Sequence, residues 1–80
     1  MVTKEEVLKE LKEIIDPHTQ MNIVDMGLVQ EIEINEDQKR IYVKFKPTTP
    51  FCPITKFFDT RIRDIISAMG YDPEVEIVLD

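Results

Sequence analysis

Ile41-Tyr42-Val43-Lys44-Phe45-Lys46-Pro47-Thr48-Thr49-Pro50-Phe51-Cys52-Pro53 is the stretch from which the fold is read. Its first half alternates, with Ile41, Val43 and Phe45 on one side, the period of a strand with one buried face. Its second half is a proline-braced loop that delivers the only cysteine of the chain to the start of a helix. Pro50 and Pro53 each fix φ near about −65° and remove a backbone donor. Proline is favoured at the first helical position, so Cys52 is expected at the N-cap or beside it. There the positive end of the helix dipole stabilises a thiolate. Thr48 and Thr49 supply hydroxyls within four residues of the sulfur.

Downstream, Ile54, Phe57, Phe58, Ile62, Ile65, Ile66 and Met69 recur at helical spacing. Gly70 is the residue expected just past the helix end, and Asp59 and Arg63 are spaced for an i,i+4 pair on its outside. Val75, Ile77 and Leu79 then alternate with Glu74 and Glu76 in a final strand.

Upstream, Leu28, Ile32 and Ile34 alternate with Glu31 and Glu33, and Asn35-Glu36-Asp37-Gln38 is a polar turn. Together with residues 41–46 they predict an antiparallel hairpin with one buried face. On its outer face Glu31 and Glu33 are expected to pair with Lys44 and Lys46. Further upstream, Thr3-Lys4-Glu5-Glu6 is a capping box, with Val2 and Val7 in the staple positions. Val7, Leu8, Leu11, Ile14 and Ile15 form one apolar stripe, which predicts a helix over 4–15. Pro17 disfavours helical dihedrals at Asp16 and so should end it. Residues 16–27 lack periodicity. Asp16-Pro17, Asn22 and Gly27 are turn residues, while Ile23, Val24 and Met26 are apolar enough to be pinned to the core. A loop this long in a small domain is usually functional or packed as a unit.

The element order is α-β-β-α-β. It predicts an α/β (α+β) fold in two layers, with two helices on one face of a three-stranded mixed sheet and residues 1–80 as a single domain. The β-α-β unit should be right-handed. Strand order is not set by one sequence.

Composition narrows the function. Sixteen acidic against ten basic residues give a net charge of −6. Non-specific nucleic-acid binding works through clustered Lys and Arg. Here there are only the local spots Lys39-Arg40, Lys44 with Lys46, and Arg61 with Arg63, so nucleic acid is disfavoured. Met1 is followed by Val-Thr-Lys-Glu-Glu, which is no apolar signal segment, and no apolar run approaches the roughly 20 residues of a bilayer span. A cytoplasmic protein with no membrane partner is expected. A single cysteine excludes an internal disulfide and suits a reducing compartment.

Cys52 has two readings. A lone free cysteine is most often a small buried hydrophobe. A cysteine braced at a helix start is instead placed for use as a thiolate. Asp16 and Asp25 bracket the long loop. Each alone reads as turn chemistry, and a role as acceptor or hard ligand requires proximity to Cys52. His18 titrates near neutrality when unperturbed, but nothing in the spacing brings it to Cys52. One Cys and one His cannot form a four-ligand zinc site within one chain, nor can one thiolate hold an iron–sulfur cluster. A second chain or outside thiols must then share any cluster.

Asp16-Pro17, then Ile23-Val24-Asp25-Met26-Gly27-Leu28-Val29, then Thr48-x-Pro50-x-Cys52-Pro53 resemble the metal–sulfur cluster biosynthesis family. That family includes SufT-like and PaaD-like proteins, the small domain preceding Mrp/ApbC-type ATPases and the eukaryotic cytosolic iron–sulfur targeting factor. The similarity covers nearly the whole chain. It implies the iron–sulfur cluster assembly type of fold and a role in making or delivering such clusters. It also implies a site at Asp16, Thr49 and Cys52, with Asp25 and Gly27 shaping the neighbouring loop. Two positions depart from the family pattern: His18 stands where an acid is common, and bulky Phe51 where a small residue usually precedes Cys-Pro.

The leading expectation is a non-enzymatic assembly or transfer factor. Cys52 would ligate iron or an iron–sulfur cluster transiently, with Thr48, Thr49, Asp16 and Asp25 around it. The remaining ligands would come from a second copy in a homodimer or from a partner, either an iron–sulfur assembly protein or a client apo-enzyme. Soft thiolates suit such species. An alternative is an adaptor that docks an ATPase or client enzyme and keeps its cysteine for structure. A third reading, a cysteine-based enzyme using Cys52 with His18 or an Asp, lacks an oriented base.

Overall fold

The computed structural model describes residues 2–17, 19–47 and 52–78, with residues 52–54 described by their backbone alone. The chain runs α1 (Lys4–Leu11), β1 (Val29–Asn35), β2 (Arg40–Phe45), α2 (Cys52–Ala68) and β3 (Asp72–Ile77). The sheet has the order β1-β2-β3, antiparallel between β1 and β2 and parallel between β2 and β3. Both helices pack on one face, over a core that includes Val7, Leu11, Ile32, Ile41, Val43, Phe45, Phe58, Ile62 and Ile66. The two-layer mixed architecture read from the sequence is the one observed.

Thr3 caps α1 from extended backbone, its hydroxyl accepting from the Glu6 N–H at 3.2 Å. Helix α1 stops at Leu11, four residues short of the expected end. The Ile14 N–H bonds back three residues to the Leu11 carbonyl, and the Ile14 carbonyl accepts from the Ile23 N–H. Ile15 then bridges antiparallel to Asn22. Ile14 is buried all the same and Ile15 is half exposed. A buried position can be filled from extended backbone as well as from a helix, so the apolar stripe outran the helix.

In α2, Phe58 faces inward and packs on Phe45 with ring centroids 5.3 Å apart. Phe57, expected on the same stripe, is 45% exposed. Adjacent helical residues lie roughly 100° apart, so both rings cannot enter one core. Gly70, at φ +88, ends the helix as expected. Its N–H bonds to the Ser67 carbonyl and that of Tyr71 to the Ile66 carbonyl, the paired bonds of a Schellman cap. The Asp59–Arg63 pair is present at 2.9 Å.

The hairpin differs from expectation in one register detail. A bulge at Gln30 lies between the pairs Val29↔Phe45 and Glu31↔Lys44, which places Val29 opposite Phe45. Glu31 faces Lys44 as expected, but Glu33 faces Tyr42, and Lys46 lies beyond the strand. β3 starts at Asp72 and includes Pro73. An edge strand tolerates proline because one side of its backbone has no ladder partner.

Candidate functional site

Two loops were expected to form the site, and the sheet brings the end of the first beside the start of the second. Because β1 and β2 are antiparallel, the chain enters β1 at the end where it leaves β2. The Lys46 N–H donates to the Leu28 carbonyl at 2.8 Å, tying the exit of β2 to the entrance of β1. The segment 16–28 therefore ends, and the segment that leads from Lys46 to Cys52 starts, at one shared backbone bond.

The first segment is built in two closed pieces. The Asp16 N–H donates to the Met21 carbonyl at 2.9 Å, and the Gln20 N–H to the Asp16 carbonyl at 2.7 Å. Gln20 adopts φ +62 to close this small loop. Asp16 is 4% exposed, the one buried charged side chain among the described residues. The second piece, Asn22 to Leu28, is a single capped turn. The Asn22 side-chain carbonyl accepts from the Asp25 N–H, and its amide donates to Asp25 Oδ2, both at 2.8 Å. The Gly27 N–H bonds to the Val24 carbonyl and that of Leu28 to the Ile23 carbonyl, a second Schellman cap. Gly27 stands at φ +75, the left-handed region that glycine enters without steric cost. Ile23 and Leu28 are the apolar pair this cap buries.

The two aspartates thus occupy unlike environments. Asp16 is enclosed, whereas Asp25 is exposed, holds the capped turn and lies 3.9 Å from Lys12 Nζ. Cys52 is the first residue of α2, beside the N-cap as expected, and Pro53 is the second, one position further along than the sequence indicated for the proline. Proline is still free of cost there, because the first-turn N–H groups have no partner within the helix. Thr48, Thr49, Phe51, His18 and the Cys52 side chain lie outside the described residues.

Thr55, not singled out by sequence reasoning, sits on the first turn of α2. Its Oγ1 is buried and has no hydrogen-bond partner among the described residues. The available signal was its place three residues after Cys52, one helical turn along the same face. Among the described residues no group of three or more His, Cys, Asp or Glu side chains is gathered to hold a metal ion.

The far end and outer face of the sheet are organised differently. Tyr71 Oη donates to both oxygens of Glu36, at 2.9 and 2.8 Å, and Lys39 Nζ lies 3.4 Å from Glu36. The Tyr71 hydrogen bond, aided by Lys39, holds the Glu36 carboxyl below its usual value. Across the outer face, Tyr42 Oη donates to Glu76 at 2.9 Å. Burial first, then the Glu76 hydrogen bond and the charges of Glu76, Glu31 and Glu33, push the Tyr42 phenol up to about 12. No helix among the described residues is long and apolar enough to cross a membrane.

Comparison with known proteins places this arrangement. The family model for the iron–sulfur cluster assembly protein matches residues 4–77. The chain is similar to an uncharacterised protein of Methanocaldococcus jannaschii, 34% identical over all of this chain and 83% of that one. It is also 32% identical, over 95% of its own length, to 14% of a chloroplast Fe–S cluster assembly factor of rice. Among solved structures, a conserved hypothetical protein of Thermotoga maritima superposes with a TM-score of 0.83 at 36% identity, over 99% of this chain and 78% of that chain.

Proposed function

The chain belongs to the iron–sulfur cluster assembly protein family, and on that footing we propose that it is a non-enzymatic factor that receives and passes on iron or an iron–sulfur cluster through Cys52. The observation that supports this reading is the Lys46–Leu28 bond, which starts the cysteine segment beside the segment that carries Asp16 and Asp25. Helix α2 begins at Cys52, and its dipole favours a thiolate there. Thr49 and Thr48 supply hydroxyls to the same loop, and Asp16 and Asp25 shape its neighbour.

The iron species is cargo here. A single thiolate per chain holds it weakly and releases it readily, in contrast to the four thiolates usual for a resident cluster. The remaining ligands come from a second copy or from the receiving protein. On this reading the partners are iron–sulfur assembly proteins and client apo-enzymes, and the setting is the reducing cytoplasm.

Anaerobic reconstitution with iron and sulfide, followed by visible absorption, tests the reading. Wild type should take up a chromophore that Cys52→Ala lacks. Equal uptake by the two proteins would overturn it.

A second reading, an adaptor that docks an ATPase or client, is favoured by the exposed Ile15, Met21 and Phe57. Full rescue of a deletion strain by Cys52→Ser would select the adaptor over the thiolate mechanism.

A further inference from the structure

The sheet has two edges, and only one of them is defended. In the order β1-β2-β3, both β1 and β3 have a backbone side with no ladder partner among the described residues. Such a side is a row of N–H and C=O groups open to pairing with another chain, and proline, edge lysines, bulges and inward-pointing charges are the usual defences. β3 carries Pro73. β1 has its bulge at Gln30, near its start, and then keeps an unbroken register from Glu31 to Asn35. That run holds neither proline nor lysine, and its inward side chains, Ile32 and Ile34, are apolar.

The two sides of this edge differ in chemistry. On the helix side, Leu8, Val29 and Ile32 line a groove of about 280 Å³ between α1 and β1, with Lys4 at its rim. Leu8 and Val29 are only half-buried. On the outer side, Glu31 and Glu33 are exposed. Glu33 faces Tyr42 across the ladder, and the guanidinium of Arg40 is turned toward Asp72 and Glu74 on β3. The charges of Glu31 and Glu33 are felt at the Tyr42 phenol, which they help to push up.

These two sides specify what fits. Successive side chains of an added strand alternate between the faces. One set lies over the Leu8–Val29 groove and the other stands beside Glu31 and Glu33. A second copy of β1 is a poor occupant. Laid antiparallel across residues 31–35, it sets Glu33 against its own counterpart and a Glu31 diagonal to each, and like charges directly opposite are destabilising.

We propose that the free edge of β1 docks an extended segment of a partner protein in which basic and apolar residues alternate, added to the sheet as a fourth strand. Backbone bonds complete the open row of β1, and alternate side chains give the specificity. The apolar ones enter the groove, and the Lys or Arg side chains pair with Glu31 and Glu33. The inference goes beyond iron transfer and does not depend on Cys52. β1 starts directly after Leu28, so the docked segment runs alongside the strand that leads out of segment 16–28.

The probe is a synthetic peptide of alternating Lys and Val, seven residues long as β1 is, and the control alternates Glu and Val. Each is added to the isotope-labelled full chain, and amide exchange is read residue by residue. The Lys–Val peptide should slow the β1 amides that point away from β2, which are every second residue of the run. The Glu–Val peptide should leave them unchanged. The double variant Glu31→Lys, Glu33→Lys should bind the Lys–Val peptide about tenfold more weakly. It should bind the Glu–Val peptide instead, which also shows that it is folded. Unchanged exchange in β1, equal protection by both peptides, or changes confined to Ile15, Met21 and Phe57 would overturn the proposal. So would slowing of the same amides by raised protein concentration alone, which assigns the edge to a second copy. Cys52→Ala should bind the peptide as wild type does, so this idea and the iron-uptake reading fail separately.

Discussion

The Lys46 N–H and the Leu28 carbonyl are joined by a 2.8 Å hydrogen bond at the point where the chain leaves β2. Leu28 is also the residue whose own N–H closes the Schellman cap on Ile23. One residue therefore links the capped turn to the segment that leads to Cys52. The Lys46 amide should exchange with solvent as slowly as the amides inside β2, and the Leu28 amide likewise. Fast exchange at either position would show that the two segments are not held together.

Gly27→Ala tests the capped turn. A Cβ at this position meets nothing within 4 Å, so the substitution adds no clash. The cost comes from the backbone alone, since φ +75 is disfavoured for an L side chain by about 1–2 kcal/mol. A melting point lower by several degrees is expected. Restored stability in Gly27→Asn, a residue that tolerates this region better, would assign the loss to dihedral strain.

Phe57 and Phe58 are neighbours in sequence with opposite fates. Phe58 is 1% exposed and packs on Phe45. Truncation to alanine should cost about 3–5 kcal/mol, a large share of what a small domain has. Phe57→Ala should cost well under that. Chemical denaturation of the two variants measures the difference directly.

Alkaline pH should weaken the fold through Tyr42. Its phenol is raised in the folded chain from an ordinary 10.0 to about 12. A raised pKa means that the folded state favours the neutral form. The contribution is thus complete below pH 10 and is lost as pH rises toward about 12. Phenolate absorbance should show one tyrosine titrating near that upper value, and Tyr42→Phe should remove this part of the pH dependence.

Acid acts at the other end of the sheet. Glu36 is held below its ordinary 4.5 by the Tyr71 hydroxyl and by Lys39. A lowered pKa means that the stabilisation is complete above that ordinary value and is lost as pH falls through the lower folded one. Tyr71→Phe should flatten the acid limb of a stability-against-pH curve. An unchanged limb would show that the clasp between the hairpin turn and the start of β3 contributes nothing to stability.

Local chemistry was legible in the sequence because it depends only on neighbours along the chain. Thr3 three residues before Glu6, Gly70 after a helical stripe, and Asp59 four residues before Arg63 each produced the structure expected of them. The alternation of Ile41, Val43 and Phe45 fixed which face of β2 is buried, since side chains of a strand point to opposite faces in turn. The family resemblance, carried by Asp16-Pro17, Val24-Asp25-Met26-Gly27 and the cysteine loop, agrees with the family match over residues 4–77.

Only the tertiary structure decided the rest, because it depends on partners far away in sequence. Ile14 belongs to the apolar stripe of α1, yet its carbonyl is taken by Ile23, and so the helix ends at Leu11. Phe57 and Phe58 both fit the stripe of α2, and contact with Phe45 selects Phe58. The strand order β1-β2-β3 sets segment 16–28 beside the exit of β2, a closeness that no spacing along the chain could give. Thr55 is an ordinary threonine in the sequence. Its hydroxyl is buried without a hydrogen-bond partner among the described residues, and that is a property of the folded chain.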